Sequence, residues 1–214
     1  MKAEDVPTYS IPRLEQIAKL LLEERWPGLT IPVDIDYIVE QEPDTILDYL
    51  PGLRTVYGVA GAVISHPEEA RFTILVDEGV ADGNLFFYRF TVAEEFAHLK
   101  LHRKLLVAVS SVEEVMRLHE WERYHEIDRN AKWLASALLI PPGPVLEDAH
   151  RLYPDMVRRV GFANPEAVTA RVIDRLSRKY LVSPSAMRYR LQNRPVDVLK
   201  KVETAMREEL DFLE

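Results

Sequence analysis

The order of local patterns along the chain constrains the fold more than any other feature. Three runs rich in β-branched and aromatic residues lie in the first third, at 46–50, 55–65 and 71–77. From residue 91 the apolar residues recur at helical spacing almost to the end. Strands followed by a long run of helices are typical of an α+β fold. We therefore predict an α+β protein with a small, mostly antiparallel sheet, preceded by a helix at 11–26.

A cluster of prolines divides the helical part of the chain. The segment Pro141-Pro142-Gly143-Pro144 ends any helix that reaches it. We predict a first domain over residues 1–142 and a helical C-terminal region over residues 143–214, packed on it. In that region Ser183 and Pro184 have the pattern of a helix N-cap and first turn. They predict a helix pair with helix-turn-helix proportions.

Charge restricts the partners that the protein can have. The chain carries 27 basic and 35 acidic residues, a net charge of -8, which argues against nucleic acid binding over its whole surface. Residues 165–195 are the exception, with seven basic and two acidic residues. If this protein contacts DNA, it does so there, through residues such as Arg188 and Arg190. The alternative is that the apolar residues of this segment pack it onto the core.

Composition also restricts the chemistry and the location. The absence of cysteine removes disulfides, thiol catalysis and cysteine-ligated zinc, which leaves His, Asp and Glu as metal ligands. No apolar run approaches the roughly 18 residues that a membrane span requires. The start of the chain, MKAEDVPTYS, has no basic and apolar leader pattern. We predict a cytoplasmic protein with no membrane segment.

The most informative segment is residues 89–102. On a helix, Glu94, His98 and His102 are four residues apart on one face, with Glu95 beside them. This is the geometry of the H-E-x-x-H helix, in which two histidines bind zinc and the glutamate is the general base. Here Glu94 occupies the position of the first histidine.

These residues are similar to the ImmA/IrrE family of zinc metallopeptidases. The family run Arg-Phe-Thr, apolar, Ala-His-Glu, two residues, His matches from Arg89 onward, except at Glu94. Further similarities are Ile31-Pro-Val-Asp34, Leu138-Leu139-Ile140-Pro141 and Val182-Ser183 with the residues that follow. They cover the chain from about residue 11 to 192. The resemblance implies a zincin-like fold with an active-site helix.

The resemblance also implies roles for individual residues. His98 corresponds to a zinc ligand, Glu95 to the general base, and Glu94 to the replaced first ligand. The third ligand, the glutamate of a Glu-Ala-Asn run, falls on Asn130. Asparagine is neutral and a poor ligand for zinc, so the implied zinc site is altered at two of three positions.

A compensated site is an alternative. Glu126 lies one helical turn before Asn130 and is predicted either to join Glu94 and His98 or to be a solvated helix charge. An oxygen-rich set of that kind suits manganese or magnesium better than zinc. On a regular helix Asp128 is expected to point elsewhere. His119 has no partner at ligand spacing, so the sequence assigns it no role.

Structural interpretations of the same residues remain open. Thr91-x-x-Glu94 has the capping-box pattern, in which Glu94 would fasten the start of the helix. His98 would then be a core histidine, and His102 would bind a backbone carbonyl or the neighbouring loop. Asn130 would be a buried hydrogen-bonding residue.

Two functions follow. We favour a catalytically silent zincin scaffold that binds a regulatory protein such as a helix-turn-helix repressor, because two ligand positions have changed. The alternative is an active metal-dependent endopeptidase that cleaves such a repressor, which the intact Glu95 and His98 favour. Zinc is the cofactor that the resemblance implies, manganese or magnesium is the alternative, and the silent scaffold needs no metal.

Overall fold

The computed structural model describes residues 7–161 and 164–213, which fold as helices around one small sheet. The predicted α+β class is confirmed. The chain divides into two compact units, Met1–Leu139 and Ile140–Glu214. No helix in the described ranges is both long enough and apolar enough to span a bilayer.

The first unit contains seven helices among its described residues, and three strands. The helices are α1 (Ile11–Arg25), α2 (Ile35–Glu40), α3 (Leu53–Tyr57), α4 (Glu78–Gly83), α5 (Leu85–Leu106), α6 (Val112–His119) and α7 (Tyr124–Leu139). The strands are β1 (Thr45–Leu50), β2 (Gly61–His66) and β3 (Arg71–Asp77).

The sheet has the order β1-β3-β2, with the buried β3 in the centre. β2 pairs with β3 antiparallel, whereas β1 pairs with β3 parallel, so the prediction of a mostly antiparallel sheet is wrong for one of its two pairings. In addition, α3 occupies the start of the run that the sequence predicted as a single strand over residues 55–65. Gly52 and Gly58 flank α3 with φ of 78° and 77°, a conformation that glycine adopts without strain.

The two helices that precede the sheet begin at polar N-cap residues. The side chain of Ser10 accepts a hydrogen bond from the Arg13 amide at the start of α1. Asp34 does the same for the Tyr37 amide at the start of α2. Both predicted helices are confirmed.

The central helix α5 begins earlier than predicted. The side chain of Asn84 accepts hydrogen bonds from the amides of Phe86 and Phe87, which places the N-cap there. Thr91 is therefore inside the helix and buried, and the capping box of Thr91 and Glu94 is wrong. Glu94 is free of that role because the amides near Thr91 are already bonded within the helix.

The position of α5 is fixed by its packing against α7 and β2. Phe96 and Leu99 of α5 and Leu134 and Leu138 of α7 are fully buried. Burial of side chains of this size stabilises the pair by roughly 1.5 to 3 kcal/mol each. The packing places polar residues of α5 beside polar residues of α7.

The second unit consists of helices in its described residues. They are α8 (Pro142–Val160), α9 (Pro165–Tyr180), α10 (Pro184–Gln192) and α11 (Leu199–Leu213). α8 is a single helix that contains Pro154. The N-cap at Ser183 is confirmed, since its side chain accepts a hydrogen bond from the Ala186 amide.

The basic residues of α10 differ in their surroundings. Arg188 is exposed. Arg190 is buried, and its Nε donates to the carbonyl of Ile140 at 2.9 Å. Arg190 is thus unavailable to phosphate, contrary to the role considered for it from sequence. Met187 and Leu191 on the same helix are also buried.

Candidate metal centre

A cavity of about 550 Å³ lies in the first unit, between α5, α6, α7 and the β2 edge of the sheet. Its polar side chains come mainly from the three helices. They are Thr91, Glu94, Glu95 and His98 of α5, His119 of α6, and Tyr124, Asp128 and Lys132 of α7. The cavity therefore gathers the acidic and imidazole groups that the sequence singled out on α5.

Three of these side chains converge. Glu94, His98 and Asp128 each offer one ligand atom, and the three atoms lie within 4.8 Å of one another. Glu94 and His98 meet because they are one helical turn apart. Asp128 reaches them from α7, because α7 packs along α5. One nitrogen and two carboxylate oxygens thus face a common point.

Asp128 corrects the sequence analysis. It was expected to point elsewhere, with Asn130 or Glu126 supplying the third ligand. In the structure Asn130 is 3 % exposed and, like Glu126, is not among the residues that line the cavity. Asp128 lies two residues from both Glu126 and Asn130. Two residues along a helix correspond to a rotation of about 200°, so Asp128 points to the opposite side of α7 from those two residues. Glu126 instead accepts hydrogen bonds from Arg123 at 2.9 and 3.0 Å.

Glu95 lines the cavity beside the three converging groups. Burial, with the neighbouring carboxylates Glu94 and Asp128, raises its pKa well above the ordinary value. No residue that the structure describes donates a hydrogen bond to it. Gly61 of β2 lies directly against it: a Cβ at Gly61 would come within 2.7 Å of the Glu95 Cγ and the Thr91 Cγ2. Only glycine permits the strand to approach this closely.

Burial also changes the protonation of the converging groups. It raises the pKa of Glu94 to about 7, against the opposing ammonium of Lys132, and Asp128 adds to the rise. It lowers the pKa of His98 to about 3. His98 is therefore neutral near pH 7, with a lone pair available to a cation.

Lys132 is the nearest cation. Its Nζ donates to the Asp128 Oδ2 at 2.8 Å and lies 3.9 Å from the Glu94 Oε1. It stands four residues after Asp128 on α7, so the two side chains share one face. Its side chain is 52 % exposed.

The model of the IrrE N-terminal-like domain, a peptidase family, matches residues 85–192 of the chain. The chain belongs to this family. The matched region begins with α5 and ends with α10, so it includes the helices that carry Glu94, His98 and Asp128. No curated protein sequence matches the chain.

Membership of the IrrE N-terminal-like family raises the question of whether these residues fit the zinc ion typical of it. The donor set does fit a divalent ion, because it combines a neutral imidazole with two carboxylates whose mutual repulsion a cation would relieve. Two oxygens and one nitrogen are also compatible with manganese. The arrangement thus has donor atoms that suit a divalent ion.

His102 remains outside this group. It is 1 % exposed, and neither ring nitrogen has a hydrogen-bond partner among the described residues. The predicted bond to a backbone carbonyl or loop is therefore not made. Its ring lies 5.5 Å from that of His98 and 6.3 Å from that of Tyr9, centroid to centroid. The backbone at His102 is non-helical, so α5 is kinked there.

Two cavity residues were missed from sequence. Tyr124 stacks on His98 with ring centroids 6.3 Å apart, and His119 lies 4.1 Å from Tyr124. Burial raises the pKa of Tyr124, so its hydroxyl keeps its proton. Neither residue has ligand spacing along the chain, because α6 and α7 come together only in the folded protein. No sequence signal could have found them.

Proposed function

We propose that the protein is a metal-dependent endopeptidase whose ion is held by Glu94, His98 and Asp128. The observation that carries this proposal is Asp128. The silent scaffold was favoured because two ligand positions, Glu94 and Asn130, had changed, and Asp128 supplies a carboxylate in place of Asn130. Glu94 is then the one altered ligand position, and its carboxylate can bind a metal ion as the implied histidine would.

The ion, when bound, would polarise a peptide carbonyl and acidify a water molecule. Glu95 is placed to take a proton from that water and to pass it to the leaving amine nitrogen. The Tyr124 hydroxyl has no hydrogen-bond partner in the described part of the chain and is a free donor for a carbonyl oxygen.

The edge of β2 offers a place for a peptide. In an antiparallel pair, alternate residues direct their backbone groups toward the partner strand. The Ala60 oxygen accepts a hydrogen bond from the last residue of β3, so Gly61 and Val63 turn theirs to the open edge. Both line the cavity. An extended peptide that paired with this edge would lie across Glu95.

The substrate class follows from the family resemblance. We propose a regulatory protein, such as a repressor with a helix-turn-helix domain, presented as an extended segment. The packing of β2 against α5 supports this, since it brings a strand edge beside Glu95. The basic surface of residues 165–195 is an alternative contact for DNA, without Arg190.

One observation favours the silent scaffold as a second candidate. The ammonium of Lys132 already neutralises part of the acidic group, at 2.8 Å from Asp128. A protein that had lost its metal would be stabilised by such a replacement. In that case the cavity would bind a regulatory protein without cutting it.

Equilibrium binding of Zn²⁺ and Mn²⁺ to chelator-stripped protein separates the two candidates. We expect one ion per chain, and roughly 100-fold weaker binding in Asp128→Asn, because even changes in the residues that orient metal ligands cost about 10- to 100-fold. Glu126→Gln is the matched control, because it neutralises a carboxylate on the same helix outside the cavity, and it should bind like the parent. Cleavage of a synthetic peptide mixture, followed by mass spectrometry, then tests activity. Equal binding by Asp128→Asn and the parent would remove the proposed centre.

A further inference from the structure

The Lys132 ammonium lies beside two of the three side chains that would hold a divalent ion. Of the three proposed ligands it contacts the two carboxylates, at 2.8 Å for Asp128 and 3.9 Å for Glu94. Each carboxylate oxygen that a lysine engages is less available to a metal ion. A divalent ion held by these carboxylates would also face the ammonium at short range, where like charges repel.

Lys132 is able to leave. About half of its side chain is exposed, and its four-carbon stem is flexible, so the ammonium can reach water without a change in the backbone. The carboxylates are less mobile because Glu94 and Asp128 are only 20 % and 27 % exposed. The acidic group therefore stays in place while its cation exchanges.

We propose that Lys132 determines the metal affinity of this centre: its ammonium is an internal cation that a divalent ion must displace from Asp128 and Glu94. The inference rests on the proposed metal centre and extends it. Two features then lower the metal affinity: Glu94 stands where the family resemblance implies a histidine, and Lys132 competes with the ion. The protein holds its ion weakly and responds to the ion concentration around it.

The first test is Lys132→Met, which removes the charge and retains the length of the side chain. Isothermal titration with Mn²⁺ and Zn²⁺ is expected to show binding on the order of 10-fold tighter than in the parent, the size of a partly buried ion pair. Lys132→Arg keeps the charge and is expected to bind no more tightly than the parent. Lys19→Met is the matched control, since Lys19 also forms an exposed i,i+4 pair, with Glu23 on α1. It should leave metal affinity unchanged.

The second test uses the parent protein, so it does not depend on the folding of a variant. Displacement frees the Lys132 amine, and its labelling by acetic anhydride should rise several-fold when Zn²⁺ is added. Labelling of Lys19 should not change. Mass spectrometry of peptides from the labelled protein measures both sites in one sample.

The outcomes separate this inference from the proposed function. If the parent and Lys132→Met bind metal equally, Lys132 does not set the affinity, and the metal centre stands. If Lys132→Met binds more weakly, Lys132 supports the centre, and the displacement is wrong. If neither protein binds an ion and labelling is unchanged, the metal centre itself is wrong, and the inference falls with it.

Discussion

The two units each contain a lysine paired with an aspartate, and the two pairs are built differently. In the second unit Lys179 of α9 donates to both oxygens of Asp148 at 2.6 and 2.7 Å, and the Tyr180 hydroxyl adds a bond at 2.9 Å. In the first unit the pair of Lys132 and Asp128 shares its surroundings with other carboxylates. Both oxygens of the buried Asp148 accept hydrogen bonds, whereas the group around Asp128 has more negative than positive charge.

The difference shows how to recognise a site among buried charges. A carboxylate with a full set of donors stabilises the fold and has no capacity left for a ligand. Glu94, Glu95 and Asp128 share the single ammonium of Lys132 and face a cavity, and burial raises the pKa of both glutamates. The ion pair of the second unit thus stabilises the fold. In the first unit Glu94, Glu95 and Asp128 form an unmatched group, whose excess negative charge a bound cation would neutralise.

The largest expected effect tests whether the unmatched group performs chemistry. Glu95→Gln removes the proton acceptor and preserves the shape of the side chain, so peptide cleavage should fall by roughly 100- to 10,000-fold. Metal binding should be retained, because Glu95 is not one of the three proposed ligands. Turnover and Mn²⁺ titration on the same preparation measure both. Undiminished cleavage would contradict the role of Glu95.

The next effect tests the energetic cost of the unmatched group. The pKa of Glu94 is about 7 in the folded protein and 4.5 ordinarily, so the folded state binds the proton more tightly. The stability from this proton is complete below pH 4.5 and is lost as pH rises through 7, by about 3 kcal/mol. Glu94→Gln has no such loss.

Urea unfolding at pH 5 and pH 8, with chelator present, measures this effect. The stability of Glu94→Gln relative to the parent should increase by up to about 3 kcal/mol at the higher pH. The contribution of His98 cancels because both proteins have it. Glu126→Gln is the control, and its stability relative to the parent should lack this increase. An equal difference at both pH values for Glu94→Gln would show that Glu94 is not buried as described.

A smaller effect tests whether the matched pair is structural. Lys179→Met leaves the carboxylate of Asp148 with the Tyr180 hydroxyl alone, which should cost about 2 kcal/mol of unfolding free energy. Added Mn²⁺ should not restore the loss, because Asp148 is a single buried carboxylate that already accepts a hydrogen bond from Tyr180. Thermal melts with and without Mn²⁺ measure this. Recovery with metal would mean that both pairs hold cations and would remove the contrast.

The smallest effect tests how tightly the site is built. Gly61→Ala places a Cβ within 2.7 Å of Glu95 and should cost about 1 to 2 kcal/mol through overpacking. It should also slow cleavage without loss of metal binding, because Glu95 must shift. Gly28→Ala, at a position with open space, should have little effect on the melting temperature. A normal melt and normal turnover for Gly61→Ala would show that Glu95 tolerates displacement.

Much of the fold was predictable because its signals are local. The cap at Ser183 lies beside the helix that it starts, and this prediction is confirmed. The start of α5 was predicted wrongly. Thr91 and Glu94 have a capping pattern, but they lie inside a helix that begins at Leu85. The parallel pairing of β1 with β3 was also missed, because pairing partners are distant in sequence.

The sequence by itself determined the α+β class, the central helix and the grouping of Glu94, Glu95 and His98 on it. One helix has a fixed period, so residues a turn apart must share a face. Only the tertiary structure decided that Asp128 joins them, that Lys132 pairs with it, and that His119 and Tyr124 close the cavity. Those contacts depend on how α6 and α7 rotate about their own axes when they pack on α5. The burial of many apolar side chains at once sets that rotation, and no local pattern in the chain records it.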